Sequence, residues 1–377
     1  MRPGVGPRVA IACSGLGRVR RGNETWAHTV GEALHAAGTD VVLFGGARTL
    51  NTSCPYVHVP SVARDSVLLR GALSWGRRYL IEQRSFALAL ERRLRRDRFD
   101  LVHVADPDLA LRLRNRLGPS GPRVIYKDGL LLGVPWCSRF ERVQVLAPFY
   151  REQAEAEGVD TRGWSVIPHL VDTRRFAPAP DRRALRAELL GREVPDDRLV
   201  VLAVGDFSRE GNKRLDWVVE EVARLPGDAP AELVVLGQSS PAELRDFLRR
   251  SRARLGERVH AVSSVPREQM PRWYQATDVF VHAALREPFG IVFLEAMSSG
   301  LPVVAHGFPV TEWIVGEGGE IVDMTAPGAA AAVLARWRRD PALRLAAGER
   351  ARERALRVFA TEHVVPLYQR AYTEAVR

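Results

Sequence analysis

Short apolar runs alternate with longer amphipathic stretches along the chain. Arg8–Cys13 reads as a strand, Asn23–Ala37 as a helix stopped by Gly38, and Asp40–Phe44 as the next strand. A basic helix follows at about Leu73–Arg96, and Asp100–Val104, Arg123–Tyr126, Val143–Leu146 and Ser165–Ile167 are further β-rich runs. The segment from Pro168 to Pro180, with Pro178 between them, loses periodicity and has the composition of a linker. The alternation restarts at Leu199–Val204 and continues through Glu232–Leu236, Val259–Val262, Val279–His282 and Pro302–Ala305, each followed by a helical stretch. Strands alternating with helices predict βαβ units and parallel sheets. The expected fold class is α/β, with two Rossmann-like doubly wound domains spanning residues 1–171 and 172–359. A final helix at 360–377 is expected to cross back onto the first domain.

Composition narrows the function. The chain has 377 residues, 46% of them hydrophobic, enough for two ordinary cores. No apolar run approaches the roughly 20 residues of a membrane-spanning helix, and the run from Val9 to Cys13 is too short for a signal-peptide core. Cys13, Cys54 and Cys137 are too few and too widely spaced for a disulfide framework or a zinc cluster. A reduced, cytoplasmic protein is the expectation. The net charge of +10 raises nucleic acid, an acidic membrane or a phosphorylated substrate as partners. The seven tyrosines and eight tryptophans form no stacking cluster and no nucleic-acid module is recognised, so no nucleic-acid partner is expected. Arginines 77, 78, 84, 92, 93, 95, 96 and 98 surround Leu80, Ile81, Leu88, Leu90 and Leu94. A solvated basic face is the favoured reading of this helix, with weak peripheral contact to an anionic membrane as the alternative.

Among 55 basic residues only Lys127 and Lys213 are lysines, and both fall inside loops that follow strands. The most informative stretch runs from Arg286 to Val304. Its loop follows the strand Val279–His282, a helix starts near Gly290 and ends before Gly300, and Pro302 opens the next strand. Ligands of open α/β sheets bind outside the carboxyl ends of the strands, and a helix start offers free N–H groups to an anion. Glu287 in the loop and Glu295 in the helix could accept hydrogen bonds from hydroxyls beside that anion. In the segment Gly205–Asp216, two fixed cations could neutralise a diphosphate as its charge grows. Arg214 reads more simply as solvated. The loop Gly15–Glu24, with Gly17 and Gly22, lacks the spacing of a dinucleotide fingerprint, so no nicotinamide cofactor is expected.

The run Glu287-Pro-Phe-Gly through Glu295, with its Ala-Met-x-x-Gly-x-Pro-Val-Val continuation, resembles the Glu-x(7)-Glu signature of the retaining glycosyltransferases of family 4. The resemblance extends over nearly the whole chain and is weakest at residues 45–98. It implies the GT-B fold, two domains facing across a cleft, and transfer of a sugar from a nucleoside diphosphate, UDP or GDP, to a glycan, lipid or other small acceptor. It assigns Glu287 to the donor sugar, the backbone of Phe289, Gly290, Ile291 and Val292 to sugar and phosphate, and Glu295 to the ribose. It also implies Arg209 and Lys213 at the diphosphate and Gly17 and Gly22 capping it, without metal or cofactor. Asp206 departs from the pattern, standing where an arginine often follows the glycine. Asp100-Leu-Val-His103-Val is similar to the family's Asp-Val-Val-His strand, which makes His103 a candidate contact. Lys127-Asp128 stands where a His-Asp pair commonly faces the donor sugar, so both residues are candidates for donor sugar or acceptor. Asp106-Pro107-Asp108 matches a metal-binding D-x-D literally, but Asp106 is expected to cap the following helix instead. Two other readings are a nucleotide-sugar 2-epimerase of related fold and an inactive sugar-nucleotide-binding protein.

Overall fold

The computed structural model describes residues 6–377 except Arg20, Asp196, Glu210 and residues 228–230. Arg20 in the first glycine loop and Glu210 beside Arg209 thus lie outside the described residues. The chain divides into two compact units, residues 1–170 with 361–377, and residues 171–360.

The first unit holds seven strands: β1 (Val9–Cys13), β2 (Val41–Gly45), β3 (Tyr56–His58), β4 (Leu101–Val104), β5 (Arg123–Lys127), β6 (Val143–Val145) and β7 (Trp164–Val166). They form one parallel sheet in the order β3-β2-β1-β4-β5-β6-β7. Every residue of β1, β2 and β4 is buried, as expected where helices cover both faces of a parallel sheet. One face packs Phe86, Leu90 and Leu94 of the helix Trp75–Asp97 against Val102 and Val104. The other packs Trp26, Val30 and Leu34 of the helix Gly22–Ala36, together with Tyr368 and Tyr372 of the final helix Thr361–Val376. The indole N–H of Trp26 and the Gln144 amide both donate to the Tyr368 hydroxyl, each at 2.9 Å.

The second unit holds β8 (Leu199–Val204), β9 (Ala231–Gly237), β10 (Val259–Ser263), β11 (Val279–His282), β12 (Val303–His306) and β13 (Gly319–Val322). All are parallel, in the order β10-β9-β8-β11-β12-β13. The apolar side chains of β8, β9 and β11 meet Val218, Val222, Phe247, Leu334 and Trp337 from the surrounding helices. In each sheet the strand order reverses once, between β1 and β4 and between β8 and β11. At such a point neighbouring loops leave in opposite directions and a crevice opens above the carboxyl ends.

Three features differ from expectation. The edge strands β3 and β13 are three and four residues long and none of their residues is fully buried, so neither forms a conspicuous apolar run. The proline-rich segment after β7 is fastened down: Phe176 is buried against Tyr274, and its carbonyl accepts from Ser298 Oγ at 2.5 Å. Asp106 occupies the N-cap position of the helix Pro107–Leu117 but makes no side-chain cap bond. Its carboxylate instead takes the Ser14 N–H and the Tyr79 hydroxyl, both at 2.6 Å, and ties the end of β1 to the helix Trp75–Asp97. Asp108 turns to Arg112 at 2.8 Å, so the two aspartates of the D-x-D do not converge.

The basic helix has its arginines largely occupied. Arg84 pairs with Asp108, Arg93 and Arg96 with Asp97, and Arg95 with Glu91. Among the described residues no helix is long and apolar enough to cross a membrane.

Candidate functional site

In the second unit the loops following β8 and β11, adjacent strands at the reversal point, bring Lys213 and Glu287 together. Gly205 continues the end of β8, and its lack of a side chain admits the chain of Lys213, since a Cβ there would lie 2.7 Å from the Lys213 Cβ. The Lys213 ammonium donates to Glu287 Oε2. The imidazole Nε2 of His282, the last residue of β11, lies 3.1 Å from the same oxygen. Glu287 is only 6% exposed. Burial pushes its carboxyl upward, but the His282 hydrogen bond and the Lys213 charge overcome this and hold it at about 2. The group is therefore a carboxylate, an acceptor only, and Nε2 of His282 must carry the hydrogen. Burial, then the Lys213 charge, lowers the His282 pKa against the pull of Glu287, so the donor is a neutral imidazole.

Gly290 ends the loop with φ +82°, and a Cβ there would sit 2.7 Å from the Phe293 ring. The helix Ile291–Ser298 then starts with no side-chain cap, and its Phe293 N–H donates to the Gly290 carbonyl at 3.0 Å. The side chains of Ile291 and Val292 are half-buried. Phe289 is buried in an edge-to-face cluster with Trp313 and Phe359, at centroid distances of 6.3 and 6.1 Å. Its ring is a packing element that anchors the loop, so only its backbone is a ligand candidate. Glu295 accepts from the Tyr274 hydroxyl at 2.7 Å. Burial raises its pKa, opposed by that hydrogen bond and by Arg267 and Arg175.

The structure does not bring Arg209 to this cluster. Its side chain is exposed and its Nε lies 3.3 Å from Asp246 Oδ2 on the helix Pro241–Leu255. Asp206 accepts from Ser208 Oγ at 2.6 Å, and Arg214 lies over the Trp217 ring.

In the first unit the carboxyl ends of β1, β4 and β5 carry a buried polar group. Gly17 has φ +81°, and a Cβ there would lie 2.5 Å from the Ala47 Cβ. Gly22 opens the helix Gly22–Ala36 in open surroundings. Lys127 is 1% exposed, with its ammonium 3.2 Å from Asn23 Oδ1 and 5.4 Å from the centre of the Trp26 ring. Burial lowers its pKa to about 8, opposed by Asp128, Cys13, Glu24 and Asp106. Burial likewise raises the Asp128 pKa. Arg64 bridges Glu82 and Glu24 beside them, and burial followed by the Asp106 charge raises Glu24 to about 6.

His103 is not part of this group's open end. Strand alternation turns it onto the face covered by the final helix, where it is 1% exposed and bonded to the Tyr372 hydroxyl at 2.9 Å. It lines a polar cavity of about 330 Å³ with Gln144, Ser165 and Tyr372. Burial, then the Lys127 charge, lowers its pKa to about 3.

The residues that sequence reasoning missed are His282, Tyr274, Arg64 and Glu82. His282 ends an apolar strand and Tyr274 sits in an ordinary amphipathic helix, so only the fold singles them out. Arg64 falls in the segment of weakest resemblance.

Comparison with known proteins bears on the fold. Two solved structures share the fold over nearly the whole chain. Sucrose-phosphate synthase from Thermosynechococcus elongatus has a TM-score of 0.80 at 22% identity, covering 98% of each chain. HepE from Anabaena, in complex with UDP and glucose, has a TM-score of 0.75 at 16% identity, covering 98% of this chain and all of its own. The fold is GT-B, in accord with the expectation from sequence. Residues 190–354 match the family model described as glycosyl transferases group 1. The D-inositol 3-phosphate glycosyltransferase of Kineococcus radiotolerans is 35% identical over 226 residues, covering 54% of this chain and 50% of the relative. The chain spans about half the length of the curated relatives it matches.

Proposed function

We propose that this chain is a retaining glycosyltransferase that moves a sugar from a nucleoside diphosphate to an acceptor hydroxyl or amine. The observation that carries this reading is the Lys213–Glu287 pair at the carboxyl ends of β8 and β11. A sugar nucleotide offers a diphosphate next to a ring of hydroxyls, and an ammonium beside a buried carboxylate matches both. Lys213 takes the diphosphate, joined by Arg209 on release from Asp246, and the backbone N–H groups of Ile291 and Val292 take phosphate oxygens. Glu287 accepts from a sugar hydroxyl. Glu295, held by Tyr274, accepts from the ribose. Lys127 and Asp128 in the first unit are the candidates for sugar or acceptor contact, where a lysine at about 8 can release a proton near neutral pH.

In the reaction the bond from the anomeric carbon to the diphosphate oxygen breaks, and a bond to the acceptor oxygen or nitrogen forms on the same face. The acceptor's proton passes to the leaving diphosphate. Cations of the chain meet the charge that develops there, so the reading assigns no metal to the site. The match of residues 190–354 to group 1 glycosyltransferases, and the UDP bound by a protein of the same fold, support it. UDP and GDP are the expected donor nucleotides.

Thermal unfolding with millimolar UDP, GDP, ADP or TDP, for wild type and Glu295→Ala, tests the reading. One base should stabilise the wild type and lose its effect in the variant. A folded wild type that responds to none of them would sink it.

A further inference from the structure

We infer that His282 is a positioning residue for the donor sugar: it holds the Glu287 carboxylate in place when Lys213 turns to the diphosphate. The inference rests on the proposed function and deepens it. Glu287 Oε2 has two partners, Lys213 and His282 Nε2, and both reach the same oxygen. The two partners differ in freedom. Lys213 ends a flexible four-carbon chain in a loop, and its side chain is 22% exposed. His282 belongs to β11, is 2% exposed, and is clamped by Phe293 edge-on at 4.8 Å and Phe280 at 6.0 Å. A diphosphate therefore draws away the lysine and leaves the histidine.

A carboxylate 6% exposed that lost Lys213 with no second donor would be left buried and unmatched. It would retain the lysine and compete with the diphosphate for it. The neutral imidazole removes that conflict, since it satisfies Oε2 without adding charge. It also fixes the carboxylate plane and leaves Oε1, the oxygen to which neither Lys213 nor His282 bonds, for a sugar hydroxyl. A neutral donor serves better than a second cation here, because a second cation would hold the carboxylate's charge against the sugar as well as against the lysine.

The inference separates two kinds of ligand. A nucleoside diphosphate alone only draws Lys213 from Glu287, whereas the sugar nucleotide also bonds to the carboxylate and should depend on His282 more strongly. Calorimetric titration of the full chain with the diphosphate and with its glucose or mannose conjugate reads the difference, for wild type, His282→Leu, His282→Gln and His282→Asn. In His282→Leu the diphosphate should bind somewhat more weakly, because the carboxylate then holds Lys213 back. The conjugate should bind about tenfold more weakly or worse, the scale of one hydrogen bond to a charged group. His282→Gln, whose amide nitrogen falls near the Nε2 position, should restore most of that loss. His282→Asn, whose shorter amide falls near Nδ1, should not. Equal weakening of both ligands in His282→Leu would make the histidine a packing residue and overturn the inference. So would a conjugate bound as tightly as in wild type. If His282→Leu does not fold, the Gln and Asn variants decide, and equal conjugate affinity in those two overturns it. A wild type that binds neither ligand refutes the proposed function itself, and the inference with it.

Discussion

Replacing Glu287 with glutamine keeps the shape of the side chain and removes its charge. The carboxyl is held at about 2 against an ordinary value of 4.5. A group whose folded pKa lies that far below its unfolded one contributes about 3 kcal/mol at neutral pH. Lys213 is partly exposed and solvent screens its share, so about 2 kcal/mol is the sounder expectation. The sign fixes the pH window. The contribution is complete above the unfolded pKa and fades as pH falls from about 4.5 toward 2. Denaturant unfolding of wild type and Glu287→Gln should therefore show a gap of about 2 kcal/mol at pH 7 that narrows steadily below pH 4.5. In a polar crevice a carboxylate held only for catalysis is commonly a burden on stability, and its removal stabilises. Equal or greater stability of Glu287→Gln at pH 7, or a gap that does not change with pH, would refute the coupling of His282, Glu287 and Lys213 described above.

Lys127 has the opposite sign. Its pKa falls to about 8 from an ordinary 10.5 because it is buried, so folding works against its charge below pH 8 and ceases to do so as pH rises toward 10.5. Lys127→Met should raise stability by up to about 3 kcal/mol at pH 7, with the gain shrinking at pH 10, while sugar transfer falls. Destabilisation at pH 7 would make Lys127 a structural residue. Phe289→Ala should cost about 3–5 kcal/mol by opening the cluster with Trp313 and Phe359. It should weaken nucleotide binding through the displaced loop, read by unfolding and titration of the same preparation.

The sequence by itself determined the alternation of strands and helices, because buried parallel strands are continuous apolar runs and their helices are amphipathic. β1, β8 and β11 are legible for that reason, and so is the loop–helix unit from Glu287 to Glu295, whose residues are local to one another. The edge strands β3 and β13 were not legible, since half-buried short strands carry little apolar signal. Tertiary structure alone decided which distant groups meet. Lys213 and Glu287 lie 74 residues apart and touch only because β8 and β11 are neighbours where the strand order reverses. Arg209, four residues from Lys213, pairs instead with Asp246 because its loop turns toward the helix that carries it. His103 lies on a strand whose alternation buries it beneath the final helix, and that helix becomes adjacent only after the chain has crossed the second unit. His282 ends an apolar strand and gains its meaning from the carboxylate that folds back over it five residues later. Local periodicity fixes elements because it reflects which face of each one is buried. The partner of a buried charge depends on sheet order, which no single stretch of the chain encodes.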